Sequence, residues 1–227
     1  MNLNRRDSIR LGAALALSGV LPAVAQACRL FPQDSTDRYV AYQDGAEVGF
    51  QRIEFSRDGG RFLVASELEF RYRRHENRLS SFSHRAREVW RRGWLSGFDA
   101  TTRHDEHEAE IKGRSERHGI LMVTTSDYDV TLQVSGYVVP ASLWHRDARL
   151  VNRLIDLVDG RVKLVSVYYA GKDVLPGKDG VTVASHYRVR GEIDRDTWYS
   201  ENCQLLRTVM PIKGARPVTL ELVRPGA

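Results

Sequence analysis

Arg61-Phe62-Leu63-Val64-Ala65-Ser66-Glu67-Leu68-Glu69-Phe70-Arg71-Tyr72 decides the fold. Phe62, Val64, Leu68, Phe70 and Tyr72 fall on one phase of a two-residue period, and Arg61, Glu67, Glu69 and Arg71 fall on the other. Successive side chains of a strand point to opposite faces, so this stretch reads as a strand with one face on a core and one in water. The same alternation returns in Val181, Val183, Tyr187 and Val189, and again in Val218, Leu220 and Leu222. Between such runs stand Asp44-Gly45, Asp58-Gly59-Gly60, Asp159-Gly160 and Asp179-Gly180, which supply the positive-φ residues of tight hairpins. Short strands joined by hairpin turns predict a meandering antiparallel sheet. One stretch departs from the pattern. After Pro140, the apolar residues Leu143, Trp144, Ala148, Val151, Leu154, Ile155 and Val158 recur at spacings of one, three and four, with Ser142 in position to cap. That makes 142–158 the best helix candidate. The expectation is a mainly β protein: a strongly curved antiparallel sheet or open β-barrel, with one helical or irregular segment covering the concave face.

The chain has 227 residues, 42% hydrophobic and 28% charged, with 34 Lys and Arg against 29 Asp and Glu. This composition argues against disordered, collagen-like and polytopic membrane classes. Residues 1–27 read as an export signal: Arg5-Arg6 precede an apolar run from Leu11 to Val24, and Ala23-Val24-Ala25-Gln26-Ala27 offers two A-x-A cleavage sites. The paired arginines resemble a twin-arginine translocation signal, although Ser8 stands where a large apolar residue is usual. Cleavage would leave 31 basic and 28 acidic residues in 28–227, read as one β-rich domain with no transmembrane helix, in the periplasm. That near-balance and the exported location argue against nucleic acid as a partner, and the basic runs at Arg71–Arg74 and Arg85–Arg92 read as the solvated face of a sheet. Two cysteines remain, Cys28 and Cys203. In an oxidising compartment they are a disulfide candidate; the competing reading makes Cys28 a lipoprotein cysteine, behind a poor lipobox.

Motifs that carry chemistry are mostly missing. The sequence has no H-E-x-x-H, C-x-x-C, S-x-x-K or G-x-S-x-G, and Gly171–Lys178 has the wrong spacing for a phosphate loop. The one dense polar cluster runs from His104 to Glu110. His104, His107 and Glu106 are ligand types that suit a transition metal, but strand alternation sends His104 and His107 to opposite sides. His84, His145 and His186 stand alone. Aromatic residues are numerous, and a curved sheet could gather several around an apolar ligand. The candidate lining is Trp144, Trp198, Tyr199, Tyr168 and Trp94, with filling of the core as the alternative.

Tyr39-Val40-Ala41 leading through Asp44-Gly45 to Val48-Gly49, the Trp144 segment, Leu154–Gly160, and Asp196-Thr197-Trp198-Tyr199 before an apolar strand resemble a family of exported bacterial proteins known only as a domain of unknown function. The resemblance spans about residues 38–223 and brings no catalytic residue with it. The architecture also looks like that of exported half-barrels that handle lipids and lipoproteins. The expected function is therefore a periplasmic binding or accessory role without a cofactor, holding an apolar small molecule, a lipid chain or a segment of another periplasmic protein. Two alternatives stay open. One is a metal-assisted or acid-base hydrolase using His104, His107 and nearby carboxylates. The other is a ligand-free assembly partner that binds through a sheet edge, with Arg85–Trp94 as the candidate edge.

Overall fold

The computed structural model describes residues 28–177 and 180–223. The twin-arginine segment and the Asp179 half of one expected turn lie outside the described residues. Fifteen strands run through the described residues: β1 (Ser35–Gln43), β2 (Ala46–Asp58), β3 (Arg61–Arg73), β4 (Leu79–Arg91), β5 (Trp94–His104), β6 (His107–Arg117), β7 (Ile120–Thr125) and β8 (Tyr128–Ser135) form the first arm. The second arm is β9 (Val139–Pro140), β10 (Arg153–Ile155), β11 (Val162–Gly177), β12 (Gly180–Gly191), β13 (Arg195–Tyr199), β14 (Leu205–Met210) and β15 (Val218–Val223).

All fifteen belong to one sheet, in the order β8-β7-β6-β5-β4-β3-β2-β1-β15-β14-β13-β12-β11-β10-β9. Every pairing is antiparallel except β9 with β10. The first and last strands pair in the middle, Tyr39 opposite Leu222, so the chain closes on itself at the centre of the sheet. Its two edges, β8 and β9, are consecutive in sequence and joined only by Gly136-Tyr137-Val138. A three-residue link spans roughly 10 Å at full extension, so a sheet this wide must roll until its edges face each other. The edges do not pair, and the barrel stays open. Arg153 of β10 bridges the seam by donating to the Ser135 carbonyl at 2.9 Å.

Strand alternation holds as read on β3 and β15, but on β12 Val181 and Val183 are exposed and only Val189 of that run is fully buried. On β3, Phe62, Val64, Phe70 and Tyr72 are buried on the concave face, while Arg61, Arg71 and Arg73 are exposed. The convex face carries charge ladders such as Arg85 with Glu67 and Glu69, both on β3 opposite β4. Such exposed pairs contribute about 0–1 kcal/mol each. The stretch Arg85–Trp94 is flanked by β3 and β5 through most of its length, so it is interior to the sheet and presents no free edge. Gly113 and Gly160 are among the close approaches that need glycine. A Cβ at Gly113 would meet the Phe98 ring at 2.2 Å, and Gly160, at φ +73, lets the 156–161 turn sit against Val123 and Ile111.

Residues 142–158 lie against the concave face but are irregular, not helical. They contain one 3₁₀ turn, Arg146–Arg149, and the short strand β10. Leu143 has φ +63, a left-handed conformation no α-helix accommodates, and His145 is extended with its Nδ1 accepting from the Asp147 amide. Leu154 and Ile155 then find backbone partners on both sides, β9 and β11, which a helix would forgo. The apolar spacing was sound as a burial signal, since Leu143, Trp144, Ala148, Leu154 and Ile155 are all buried.

Candidate functional site

The concave side divides into two halves. In one, β3 contributes Phe62 and Val64, β2 contributes Ile53 and Phe55, and β4 contributes Ala86, Glu88 and Trp90, all buried. Phe31, from the segment after Cys28, stacks on Phe62 at 4.4 Å, and Trp144 stands edge-on to Phe55 at 5.3 Å and to Trp90 at 5.6 Å. His145 stacks flat on Trp90 at 4.8 Å. Each fully buried aromatic side chain of this kind contributes about 1.5–3 kcal/mol by transfer from water. At the centre lies Glu88, 1% exposed, whose carboxyl accepts from Trp90 Nε1 at 2.9 Å and Trp144 Nε1 at 3.2 Å. Burial pushes its pKa up to about 7, partly offset by the two indole donors.

Cys28 and Cys203 sit at disulfide distance beside this half, with Cα atoms 5.3 Å apart and 175 residues between them in sequence. Arg149 donates to Cys203 Sγ at 2.8 Å, and its guanidinium lies over the rings of Tyr187 and Tyr199. A surface hollow of about 280 Å³ opens next to it, walled by Arg29–Asp37 on one side and Asn202–Leu205 on the other, with Trp144 at its base.

The other half is hollow. A cavity of about 320 Å³ is walled by Leu68, Phe70, Tyr72, Phe82, Met210 and Leu220 from the sheet. Ala141, Ser142, Leu143, Leu157 and Ile212 reach over it from the connecting segments. Its mouth is marked by exposed His104, Val158, Pro211 and Lys213. This size stands near the lower end of small-molecule pockets, about 300–1,000 Å³. The charged groups in the lining are Asp156 and Arg195, each shifted toward its neutral form by burial, and the exposed Lys213.

Strand register shows what separates the halves. Thr102, His84, Leu68, Gln51 and Tyr39 lie opposite one another across β5, β4, β3, β2 and β1. Thr197, Thr208, Leu220 and Ala41 continue across β13, β14, β15 and β1. The two rows meet at Tyr39 and Ala41, inward neighbours on β1. Polar residues therefore recur along a belt that crosses eight strands and also holds Leu68, Leu220 and Ala41, and Ser66 adds to it one pleat along β3 from Leu68. Thr102, Gln51, Thr197, Thr208 and Ser66 are all buried. Thr102 and His84 Nδ1 satisfy each other at 2.8 Å, and Thr197 donates to the Tyr187 carbonyl. Gln51 and Ser66 make no side-chain hydrogen bond with the described residues, and Thr208 Oγ1 and Ser142 Oγ are buried without a partner. Desolvation lowers His84 to a pKa of about 4, so its ring is neutral at ordinary pH.

The residues singled out from sequence are scattered across this architecture. Trp144 is a core residue of the packed half, and Tyr199 is buried inside, donating its hydroxyl to the Leu143 carbonyl at 2.8 Å. Trp198 faces the opposite side of the sheet from Tyr199, in a small cluster with Ala184 and Leu206, where its Nε1 donates to Asp173 at 2.8 Å. Plain strand alternation between Thr197 and Tyr199 sets this phase, and the register shift beside Trp198 leaves its extra residue, Leu206, on β14. Tyr168 is exposed on β11, and Trp94 packs with His118 and Tyr137 near the β5 start. The five do not converge. His104 stands at the cavity mouth 2.8 Å from the Tyr72 hydroxyl, while His107 meets Asp127 at 3.3 Å and Glu106 is exposed in the turn between. No group of three or more His, Cys, Asp or Glu with metal-binding geometry occurs among the described residues. None of their helices is long and apolar enough to cross a membrane. The belt residues were not anticipated, though each interrupts an apolar alternation, as Ser66 does between Val64 and Leu68.

Comparison with known proteins agrees with the fold and is silent on chemistry. The comparison with curated proteins gives no match. A solved structure from Brucella abortus, described as a beta-barrel-like protein of domain of unknown function DUF1849, superposes with a TM-score of 0.61. Identity is 14%, over 86% of this chain and 97% of that one, a likeness of fold alone. The family described as Domain of unknown function (DUF6134) matches residues 39–223, nearly all of the described chain, and the protein is a member of it.

Proposed function

We propose that this protein is an exported binding protein that holds an apolar small molecule in the hollow half of its open barrel. The observation that carries this is the cavity itself: about 320 Å³ with mainly apolar walls, an open mouth and a few polar groups at defined positions. An apolar hollow of this size left in a protein that packs its other half tightly is costly to stability unless something fills it. The twin-arginine segment and the Cys28–Cys203 pair support a periplasmic location, since a disulfide persists in an oxidising compartment. A sulfur engaged with Cys203 is not free for acylation, which favours the cleaved, unlipidated form of Cys28. No cofactor is needed for this role.

Native mass spectrometry of the mature protein from a periplasmic extract, with a denatured control for the covalent mass, tests it. A retained molecule of a few hundred daltons at one per chain, on a polypeptide two hydrogens lighter than its reduced mass, is the expected result. A bare chain that also fails to take up a neutral apolar dye would refute the proposal.

A further inference from the structure

The belt at the cavity floor restricts what can bind there. We infer that the ligand is a neutral amphiphile whose uncharged hydrogen-bonding group, a hydroxyl or the carbonyl of an ester or amide, is buried deepest, against Gln51, Ser66 and Thr208. Its hydrocarbon part then lies toward the mouth against Phe70, Phe82, Met210 and Ile212. This rests on the binding function proposed above and specifies the chemistry of the same site.

Three observations carry it. First, the polar groups are unpaired. Gln51, 7% exposed, and Ser66, 9% exposed, make no side-chain hydrogen bond with the described residues, and the buried hydroxyls of Thr208 and Ser142 have no partner. Buried polar groups in folded proteins are nearly always hydrogen-bonded. Among the described residues two of the six fully buried side-chain atoms without a partner, Thr208 Oγ1 and Ser142 Oγ, belong to the lining of this cavity, and with Gln51 and Ser66 beside them they mark where an absent partner belongs. Second, their position is at the floor. The belt lies between the packed aromatics Phe55, Phe62 and Trp90 and the cavity walls Phe70, Tyr72 and Phe82, as the inward order along β3 shows: Phe62, Val64, Ser66, Leu68, Phe70, Tyr72. An amphiphile with its polar group at the mouth would leave these groups unmet. Third, the floor carries no charge. It offers an amide, hydroxyls and the His84 imidazole, which burial keeps neutral, and the nearest guanidinium in the lining, Arg195 one pleat along β13 from Thr197, already has Asp156 and Asp194 as electrostatic partners. Burying an unpaired ion is far more costly than burying a hydrogen-bonded neutral group. Gln51 and the hydroxyls can each donate and accept, which suits an alcohol, ester or amide.

The test is displacement of the neutral fluorescent dye N-phenyl-1-naphthylamine at pH 8 by four ligands of equal chain length: decanol, decanamide, decanoate and decane. Decanol and decanamide are expected to compete at least tenfold better than decanoate. Gln51→Leu and Thr208→Val should each weaken decanol by about two- to tenfold, the worth of one hydrogen bond, while leaving decane unchanged or improved. The two variants lie on different strands, so one remains informative if the other misfolds. Both should also raise the melting midpoint of the empty protein, since each removes an orphaned polar group. Dye uptake with decanoate equal to or better than decanol, or with decanol binding unaffected in both variants, overturns the neutral-head assignment and leaves the binding function standing. Absence of saturable dye uptake by the parent protein overturns both.

Discussion

The packed half and the hollow half are built from the same strands in the same phase, yet one is solid and the other is not. Along β3 the inward residues are apolar throughout except Ser66, and along β4 they run from Phe82 and His84 at the hollow to Ala86, Glu88 and Trp90 at the packed end. What differs is what reaches in from outside the sheet. At the packed end Phe31 and Trp144 fill the space against Phe55, Phe62 and Trp90. At the other end only 141–143, 156–158 and 211–213 cross, and space remains. A curved sheet thus sets the width of an interior, and its connecting segments decide how much of that interior is core and how much is cavity.

Substitution should expose this contrast most strongly at the aromatic residues. Trp144→Ala removes a buried indole and the donor to Glu88, and is expected to cost about 3–5 kcal/mol, whereas Phe82→Ala, at a cavity wall, should cost about 1–2 kcal/mol. Chemical denaturation of the two variants measures the difference. Equal losses would mean that the hollow half is packed as tightly as the other.

The next effect is in pH dependence and belongs to the packed half. Burial raises Glu88 to about 7 from its ordinary 4.5, so the folded protein retains a proton that the unfolded chain has released. The contribution is fully present below about pH 4.5 and is lost as pH rises through 7, a change of about 3 kcal/mol. His84 and His145, both lowered to about 4 by burial, act in the opposite sense: the unfolded chain binds protons up to about 6.5 that the folded one has lost. Their contribution grows as pH rises from about 4 to 6.5. Comparing the parent with Glu88→Gln removes the histidine effect. The stability of the parent relative to that variant should fall between pH 4.5 and 7.5, and a flat difference would rule out a protonated Glu88.

The smallest effect belongs to the belt, and its sign is opposite to the usual one. Gln51→Leu or Thr208→Val exchanges an unpaired polar group for an apolar one, and each should stabilise the ligand-free protein by about 1 kcal/mol. The same kind of exchange at Thr102, which is paired with His84, should destabilise it. Thermal melts of the three variants check this directly.

Much of the architecture was legible in the chain because alternation reports burial directly. The Phe62–Tyr72 run and the Asp-Gly turns at 44–45 and 58–60 follow from local chemistry and are present in the structure, and Cys28 and Cys203, read as a disulfide candidate from the cysteine count and the exported location, stand at disulfide distance. The site was not legible in the same way. Trp144 and Trp198 were chosen as large aromatics at element boundaries, but a cavity is defined by what fails to fill it. Trp198 faces away from Tyr199 by strand alternation, so the two adjacent aromatics could never line one cavity together. Nor could spacing show that Gln51, His84, Thr102 and Thr208 share a level, since that depends on register across eight strands. The apolar spacing of 142–158 was read as helical because burial from two sides produces similar spacings, while Leu143 at φ +63 breaks any helix. The long strand β11 pairs with β10 only through Val162–Leu164, so its length beyond Val165, like the outer side of β8, forms a sheet edge, whereas Arg85–Trp94 lies inside the sheet.

The measurement that tests ligand binding in the hollow half most directly is titration of N-phenyl-1-naphthylamine into the parent protein and Leu68→Trp. Leu68 points into the cavity from the belt row, so a larger side chain has room to grow inward and should occupy the ligand's place without unfolding the sheet. Saturable binding of one dye per parent chain, weakened at least tenfold in Leu68→Trp at an unchanged melting midpoint, is the expected result. Equal binding by both proteins would place the dye elsewhere, for instance on the exposed Tyr168, Val174 and Val181 of the β11–β12 hairpin, and would contradict a ligand site inside the barrel.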